Sequence, residues 1–208
     1  RLPELRVTGL RQRLGDSPIF YESEASFGYF KFSPSSDHLD LNGYEAFRGD
    51  THQQLLLPKN YSGWLNVVPH AGLRFTHYGS RSSDNSGFVQ MNDLNRSVFN
   101  TGVEFSFKAS STLPDAKLSL LDVNGLRHVV QPMANYLFVP EPNKRPWELP
   151  QFDRELHSLR LRPIDFPDYN SIDTIDSSNV IRIGVRNRLQ TKRFGLVDDV
   201  LNWELFTD

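Results

Sequence analysis

Hydrophobic and polar residues alternate with a period of two along most of this chain, and helical periodicity is hard to find anywhere in it. Such alternation is what a sheet with two unlike faces requires. From Trp64 to Thr76 one face carries Leu65, Val67, Pro69, Ala71, Leu73 and Phe75, and the other carries Asn66, His70, Gly72, Arg74 and Thr76. Val98 to Ala109 sets Phe99, Val103, Phe105 and Phe107 against Asn100, Gly102, Glu104, Ser106 and Lys108. Arg127 to Phe138 sets Val130, Pro132, Ala134, Tyr136 and Phe138 against Arg127, Gln131 and Asn135. Asn179 to Leu189 sets Ile181, Ile183, Val185 and Leu189 against Arg182, Gly184, Arg186 and Arg188. Ile19 to Phe32 is noisier, with Tyr21, Ala25, Phe27 and Tyr29 opposite Glu22, Glu24, Ser26 and Gly28. With weaker segments at Glu4 to Arg13, Asp50 to Leu57 and Val200 to Phe206, the pattern predicts about eight strands.

Strand length then separates two kinds of sheet. Several segments run for about 11 to 14 residues, against about 5 or 6 in globular sheets and about 9 to 11 for a tilted membrane-crossing strand. Connector length points the same way, because outer-membrane barrels alternate short periplasmic turns with long external loops. Residues 15–18, 58–63 and 190–199 read as short connectors and 110–126 as intermediate, whereas 33–49, 78–97 and 139–178 read as long ones. The odd connectors are therefore expected on the periplasmic side and the even ones outside. The segment 139–178 holds Pro140, Pro142, Pro146, Pro150, Pro163 and Pro167, together with Trp147, Phe152, Phe166 and Tyr169. Proline blocks ladder hydrogen bonds, so this external loop should be irregular, stiff and folded over something.

Composition removes several classes. With 38% hydrophobic and 12% aromatic residues the chain is too apolar for a disordered tail. No run approaches the roughly 18 apolar residues of a transmembrane helix. The net charge of −2 gives no electrostatic reason to expect a nucleic-acid partner. Cysteine is absent, which excludes disulfides and thiolate chemistry within this stretch. The mean hydropathy of −0.47 suits a soluble chain, yet it also suits a membrane barrel, in which only every second strand residue faces lipid. The first residues carry no initiating Met and no apolar signal region, and the last read as a strand, so an excised segment of something longer is expected.

Motifs in order then identify a family. The run from Arg127 to Pro140 carries Pro132, Tyr136, Val139 and Pro140 in a P-x-x-x-Y-x-x-V-P strand, followed by the long loop. The run from Tyr169 to Leu189 carries Asp173, Ile175, Asn179, Gly184 and Arg188 in a D-x-I-x-x-x-N-x-x-x-x-G-x-x-x-R strand. Leu2 to Leu5, Gly15 to Pro18, Gly63 to Leu65 and Thr76 to Tyr78 add further segments in the same order. The ordered set resembles the C-terminal β-barrel of the LPS-assembly protein LptD family, also called organic solvent tolerance protein. The resemblance implies an antiparallel, all-β, transmembrane barrel in the cell outer membrane that inserts lipopolysaccharide into the outer leaflet. It also implies an LptE-like plug lipoprotein as partner, a periplasmic Lpt bridge reached through an N-terminal jellyroll, contact with outer-membrane lipid, no cofactor and no enzymatic chemistry. This chain is much shorter than that pattern and shows neither the jellyroll nor both barrel-closing strands. The expectation is an open section of a larger barrel. A generic outer-membrane channel or receptor and a soluble carbohydrate-binding β-sandwich are the alternatives.

Candidate site residues follow from the polar face. Arg74, Arg127, Arg182, Arg186 and Arg188, with Glu22, Glu24 and Glu104, should point into the lumen. There the arginines either meet phosphates of lipopolysaccharide or groups of a plug, since guanidinium forks suit phosphate, or pair with the glutamates across strands. The plainer reading is pairing, because any barrel lumen is polar. Glu22 and Glu24 share a strand face and read as arginine partners rather than as a glycosidase pair. Tyr21, Tyr29, Phe75, Tyr78, Phe99, Phe107, Phe138, Trp203 and Phe206 near strand ends suit interfacial girdles. Pro69 and Pro132 fall within strands and read as bulges. The six histidines have no ligand spacing for a metal, and no nucleophile or phosphate-loop motif is present.

Overall fold

In the computed structural model, residues 4–33, 43–79, 82–83, 92–153, 172–193 and 195–208 are described. Among them the chain forms strands β1 (Glu4–Arg13), β2 (Phe20–Phe32), β3 (Tyr44–Leu56), β4 (Lys59–Tyr61), β5 (Leu65–Tyr78), β6 (Ser82–Ser83), β7 (Leu94–Phe107), β8 (Ala109–Leu118), β9 (Val123–Val139), β10 (Ser178–Arg193) and β11 (Leu196–Thr207). Two 3-10 turns, Ser119–Leu121 and Pro146–Glu148, complete the described elements. Eight strands lie on one antiparallel path, β1-β2-β3-β5-β7-β9-β10-β11, with β4 paired to β5, β6 to β3 and β8 to β9. Among the described residues the two ends of the path, β1 and β11, have one neighbour each and do not pair with one another.

The order is that of a meander, as short sequential hairpins dictate. Its odd connectors are tight. Gly63 (φ 76°) and Gly195 (φ 84°) supply the left-handed backbone that the turns before β5 and β11 need. The fifth connector is shorter than alternation suggests: β8 and β9 pair down to Leu118 and Val123, which leaves only 119–122 as turn. Alternation fails there because a register shift between Leu113 and Lys117 brackets Pro114, whose missing N–H breaks the ladder. Pro69 sits between the part of β5 paired to β3, which starts at His70, and the part paired to β4, which ends at Val67. β3 begins at Tyr44, ahead of the expected Asp50, because its inward positions Arg48 and Asp50 are charged and hide the alternation. Of the long loop, Pro163, Phe166, Pro167 and Tyr169 lie outside the described residues.

Chain packing divides into two compact units. The first comprises Arg1–Leu57, His70–Thr101 and Leu137–Asn179. In it the polarity of an ordinary water-soluble sheet is reversed. Along β5, Arg74 is 4% and Thr76 0% exposed, whereas Leu73 is 60% and Phe75 45% exposed. The same holds on its neighbours, where Ser26, Arg48, Asp50, Arg96 and Asn100 are buried while Phe27, Tyr29, Phe47, Leu55 and Phe99 are exposed. One exposed leucine means nothing, but a row of them across four strands, backed by buried charge, is what lipid requires and water forbids. Polar groups on that outward face are satisfied locally. The Tyr21 hydroxyl donates to Gln53, whose amide donates to Thr51 Oγ1 at 2.6 Å.

The second unit comprises Pro58–Pro69, Gly102–Tyr136 and Val180–Asp208. Here β10 and β11 present exposed Ile181, Ile183, Leu201, Trp203 and Leu205. The alternate positions carry Arg182 on Asp208 and Arg186 on Glu204. Trp64 packs edge-on against Phe107 at 5.5 Å, an aromatic pair beside the β4–β5 turn.

Placing a charge on the outward face tests this polarity directly. Phe75→Lys should lower folding stability in bilayers by about 2–4 kcal/mol, and much less in aqueous detergent of low order. Denaturant titration of the vesicle-embedded protein measures it, and an unchanged midpoint contradicts a lipid-facing Phe75.

Candidate functional site

The inner face of the first unit is assembled in rows by strand register. Gly28 on β2 stands opposite Arg48 on β3, and Arg48 opposite Tyr78 on β5. One step along, Ser26, Asp50 and Thr76 align, and then Glu24, His52 and Arg74. Glycine at 28 leaves room for the Phe30 ring, which a Cβ would overlap, and that ring lies 4.5 Å under the Arg48 guanidinium. Asp50 accepts from Arg74 Nε at 3.2 Å and from Thr76 Oγ1 at 2.7 Å, so this acid is fully used within the sheet.

Arg48 and Arg96 find their partners elsewhere, in the connector between β9 and β10. Arg48 Nη1 reaches Asp153 Oδ2 and Asp173 Oδ1, both at 2.9 Å. The Tyr78 hydroxyl donates to the same Asp173 oxygen. The other Asp173 oxygen accepts the backbone N–H of Phe152 at 2.8 Å and of Asp153 at 3.2 Å. Arg96, wholly buried, donates to the carbonyls of Ile172, Asp173 and Ile175. Around this polar centre Phe152 packs on Phe30 and Tyr44 at 5.5 and 5.4 Å, and Val98, Leu137, Val139 and Ile175 form a small apolar core. Asn143 pins the start of the connector by accepting from the Ser97 N–H at 2.8 Å. The connector is thus latched onto the inner face at the end of β3, β5 and β7.

Two loop carboxyls have shifted acidities. Burial pushes Asp173 above the usual carboxylate range, with Arg48 pulling the other way and Asp153 adding to the rise. A carboxyl whose pKa rises on docking contributes fully below the free aspartate's pKa, and that contribution is lost as pH rises through the raised value. Mild acid therefore does not open the latch through this group. At the exposed turn Pro146–Glu148 the Arg145 N–H and Lys144 hold Glu148 below the usual range.

The residues expected from sequence fall in several places. Arg74 is buried on Asp50. Across the β1–β2 pair Glu22 accepts from Arg11 at 2.9 Å, and Glu24 forms an ion pair with Arg6 at 3.2 Å. Glu104 is half-buried low on β7, Arg127 is exposed beside Ser110 Oγ at 3.3 Å, and Arg188 is half-buried opposite Asn202. Of the motif residues, Asp173 centres the latch, and Val139 and Ile175 flank it. Pro132 and Tyr136 lie on β9, Pro140 just after it, and Asn179 is exposed at the start of β10. Gly184 is buried because a Cβ there would run into the Phe206 ring and the Leu205 carbonyl. Sequence reasoning passed over Arg48, Arg96 and Asp153, the first two as loop residues, and it placed Tyr78 in an interfacial girdle, whereas that side chain is wholly buried with its hydroxyl on Asp173. The signal present was the i, i+2 spacing of Arg48 with Asp50 and of Arg96 with Val98 and Asn100, which continues each strand outward.

The second unit contains an apolar pocket of about 320 Å³ lined by Ala116, Lys117, Leu118, Val123, Leu126, Leu189, Val200 and Leu201. Lys117 is its one charged lining residue, so it suits alkyl groups and orients nothing. No cluster of metal ligands occurs among the described residues.

Two substitutions probe these assignments. Asp173→Ala leaves Arg48 only Asp153, strands the Tyr78 hydroxyl and two backbone donors, and should loosen the connector by about 3 kcal/mol. Trypsin cleavage after Lys144 should then accelerate by roughly a hundredfold with the strands still folded. Gly184→Leu should displace Phe206 and raise amide exchange along β11, with little change in β2 and β3.

The comparisons with known proteins agree with this architecture. A family model described as "LptD: LPS transport system D" matches residues 1–198 of the chain. No curated protein matches it.

Proposed function

The chain belongs to the LptD family of the LPS transport system, and from that membership we propose that it is a section of the outer-membrane translocon that inserts lipopolysaccharide into the outer leaflet. The observation that carries this reading is the reversed polarity of the sheet, with Leu73 and Phe75 outward and Arg74 and Thr76 inward. An apolar outer wall keeps the strands in lipid, while a face of arginine, aspartate, histidine and asparagine suits sugars and phosphates that lipid rejects. The work is passage without covalent chemistry. An LptE-like lipoprotein seated against the polar face, and a periplasmic jellyroll delivering the lipid, complete the machine in this reading. The latched connector then caps the outer end of the passage.

Photo-crosslinking in the full-length protein tests it. A photoreactive residue at Gln54, on the inner face of β3, should capture lipopolysaccharide or a plug lipoprotein, while one at Phe75 should capture bulk membrane lipid. Capture of neither lipopolysaccharide nor a lipoprotein at Gln54 argues for a passive pore.

A further inference from the structure

Two bulges in the second unit converge on one cavity. β8 shifts register between Leu113 and Lys117, which leaves Ala116 out of the ladder, and β11 shifts at Val200, since Leu189 pairs with Leu201 and Gln190 with Asp199. Ala116 and Val200 stand on the outer strands of the order β8-β9-β10-β11, yet both line the apolar pocket of about 320 Å³. Bulges re-shape a sheet locally and are frequent beside functional sites. Leu126 of β9 and Leu189 of β10 line the pocket between them. Leu189 lies an even number of steps from the exposed Ile181 and Ile183, and Leu201 from the exposed Trp203 and Leu205, so both belong to the outward apolar face. The polar groups next to the pocket are satisfied, Thr191 taking the Asn124 N–H at 3.2 Å and donating to the Gly125 carbonyl at 2.8 Å. Lys117 is different. The nearby acids Asp122 and Asp198 lie on Arg193 at 3.8 and 3.5 Å, and Asp199 accepts from Gln190 at 2.8 Å, while Lys117 has no ion pair among the described residues, with Asp115 of the bulge or any other.

We propose that this pocket seats one acyl chain of a glycerophospholipid whose phosphate rests on Lys117. A smooth apolar wall suffices for bulk lipid, whereas a cavity in that wall with one cation at its rim matches an alkyl chain that ends in an anionic head. The volume is at the low end of the roughly 300–1,000 Å³ usual for ligand cavities, which is room for one chain and not for a whole lipid. The lysine ammonium, a point charge on a flexible stem, fixes no geometry but favours a phosphate over water. Lys117 lies next to the β8–β9 turn, on the side of the short connectors, so the head sits at the membrane surface on that side, and its chain runs from the pocket past Trp203 towards Leu205. This rests on the reading of the outward face as a membrane wall and adds to bulk lipid contact one specifically held lipid.

Photolabelling of the full-length protein in phosphatidylcholine vesicles tests this, with phosphatidylglycerol carrying a diazirine near the head end of one chain added at rising mole fraction and labelled residues read by mass spectrometry. Labelling at 116–118 and 200–201 should saturate at low mole fraction, while labelling at Leu205 climbs in proportion to the probe. Ala116→Phe, which fills the cavity, should cut the saturable labelling by about tenfold and leave Leu205 unchanged. Lys117→Gln should raise the half-saturating mole fraction by about fivefold. Saturation in the unaltered protein decides the matter even where a variant fails to fold. Proportional labelling at the pocket overturns a specific lipid site, and equal half-saturation by a diacylglycerol with the same diazirine overturns the phosphate contact. Loss of the saturable labelling to added lipopolysaccharide overturns a glycerophospholipid as the occupant. If Leu205 is labelled and the pocket is not, the proposal fails and the membrane wall stands; if neither is labelled, both fail.

Discussion

Arg48 is buried at the end of an inward-facing strand position, and a guanidinium there has to be neutralised from somewhere. That requirement organises the first unit. It brings Asp153 and Asp173 down onto β3, aligns Tyr78 through its register with Arg48, and sets the backbone of 172–175 against Arg96. The aromatic packing of Phe152 on Phe30 and Tyr44 and the cluster around Val98 and Ile175 then seal the contact against water, which strengthens the ionic interactions inside it.

The same logic of satisfaction works differently on the two faces. Inward, charge is matched by charge: Arg74 with Asp50, Arg48 with two aspartates, Arg6 and Arg11 with Glu24 and Glu22. Outward, where lipid offers no partner, the few polar groups hold one another, as Tyr21, Gln53 and Thr51 do. In the second unit, His128 lies 3.1 Å from Asn187, and Thr191 takes the Asn124 N–H while donating to the Gly125 carbonyl. Long antiparallel strands make this possible, since each residue has a fixed face and a fixed opposite number.

Membership in a lipopolysaccharide-transport family gives these two faces a purpose that geometry alone does not. A sheet whose two faces are so divided suits a membrane wall better than it suits a soluble binding module, whose apolar face would be buried.

How much of this could be read from the residues depends on range. Period-two alternation is a local property, so the strands at Trp64 to Thr76, Val98 to Phe107 and Asn179 to Leu189, the meander and the two unlike faces were legible from the chain itself. The ordered motifs around Pro132, Asp173 and Gly184 likewise pointed to the family that the comparison bears out. Legibility ended where alternation was broken by function: Arg48 and Asp50 masked the start of β3, and Pro114 masked β8. The latch itself was beyond local reading. Arg48 meets Asp153 and Asp173 across 105 and 125 positions, and Arg96 meets Ile172 across 76. Which carboxylate neutralises a buried arginine at such separations is set by register and chain closure. Only the tertiary structure decides that, because the energy of a buried charge depends on what surrounds it in space and not on its neighbours in sequence.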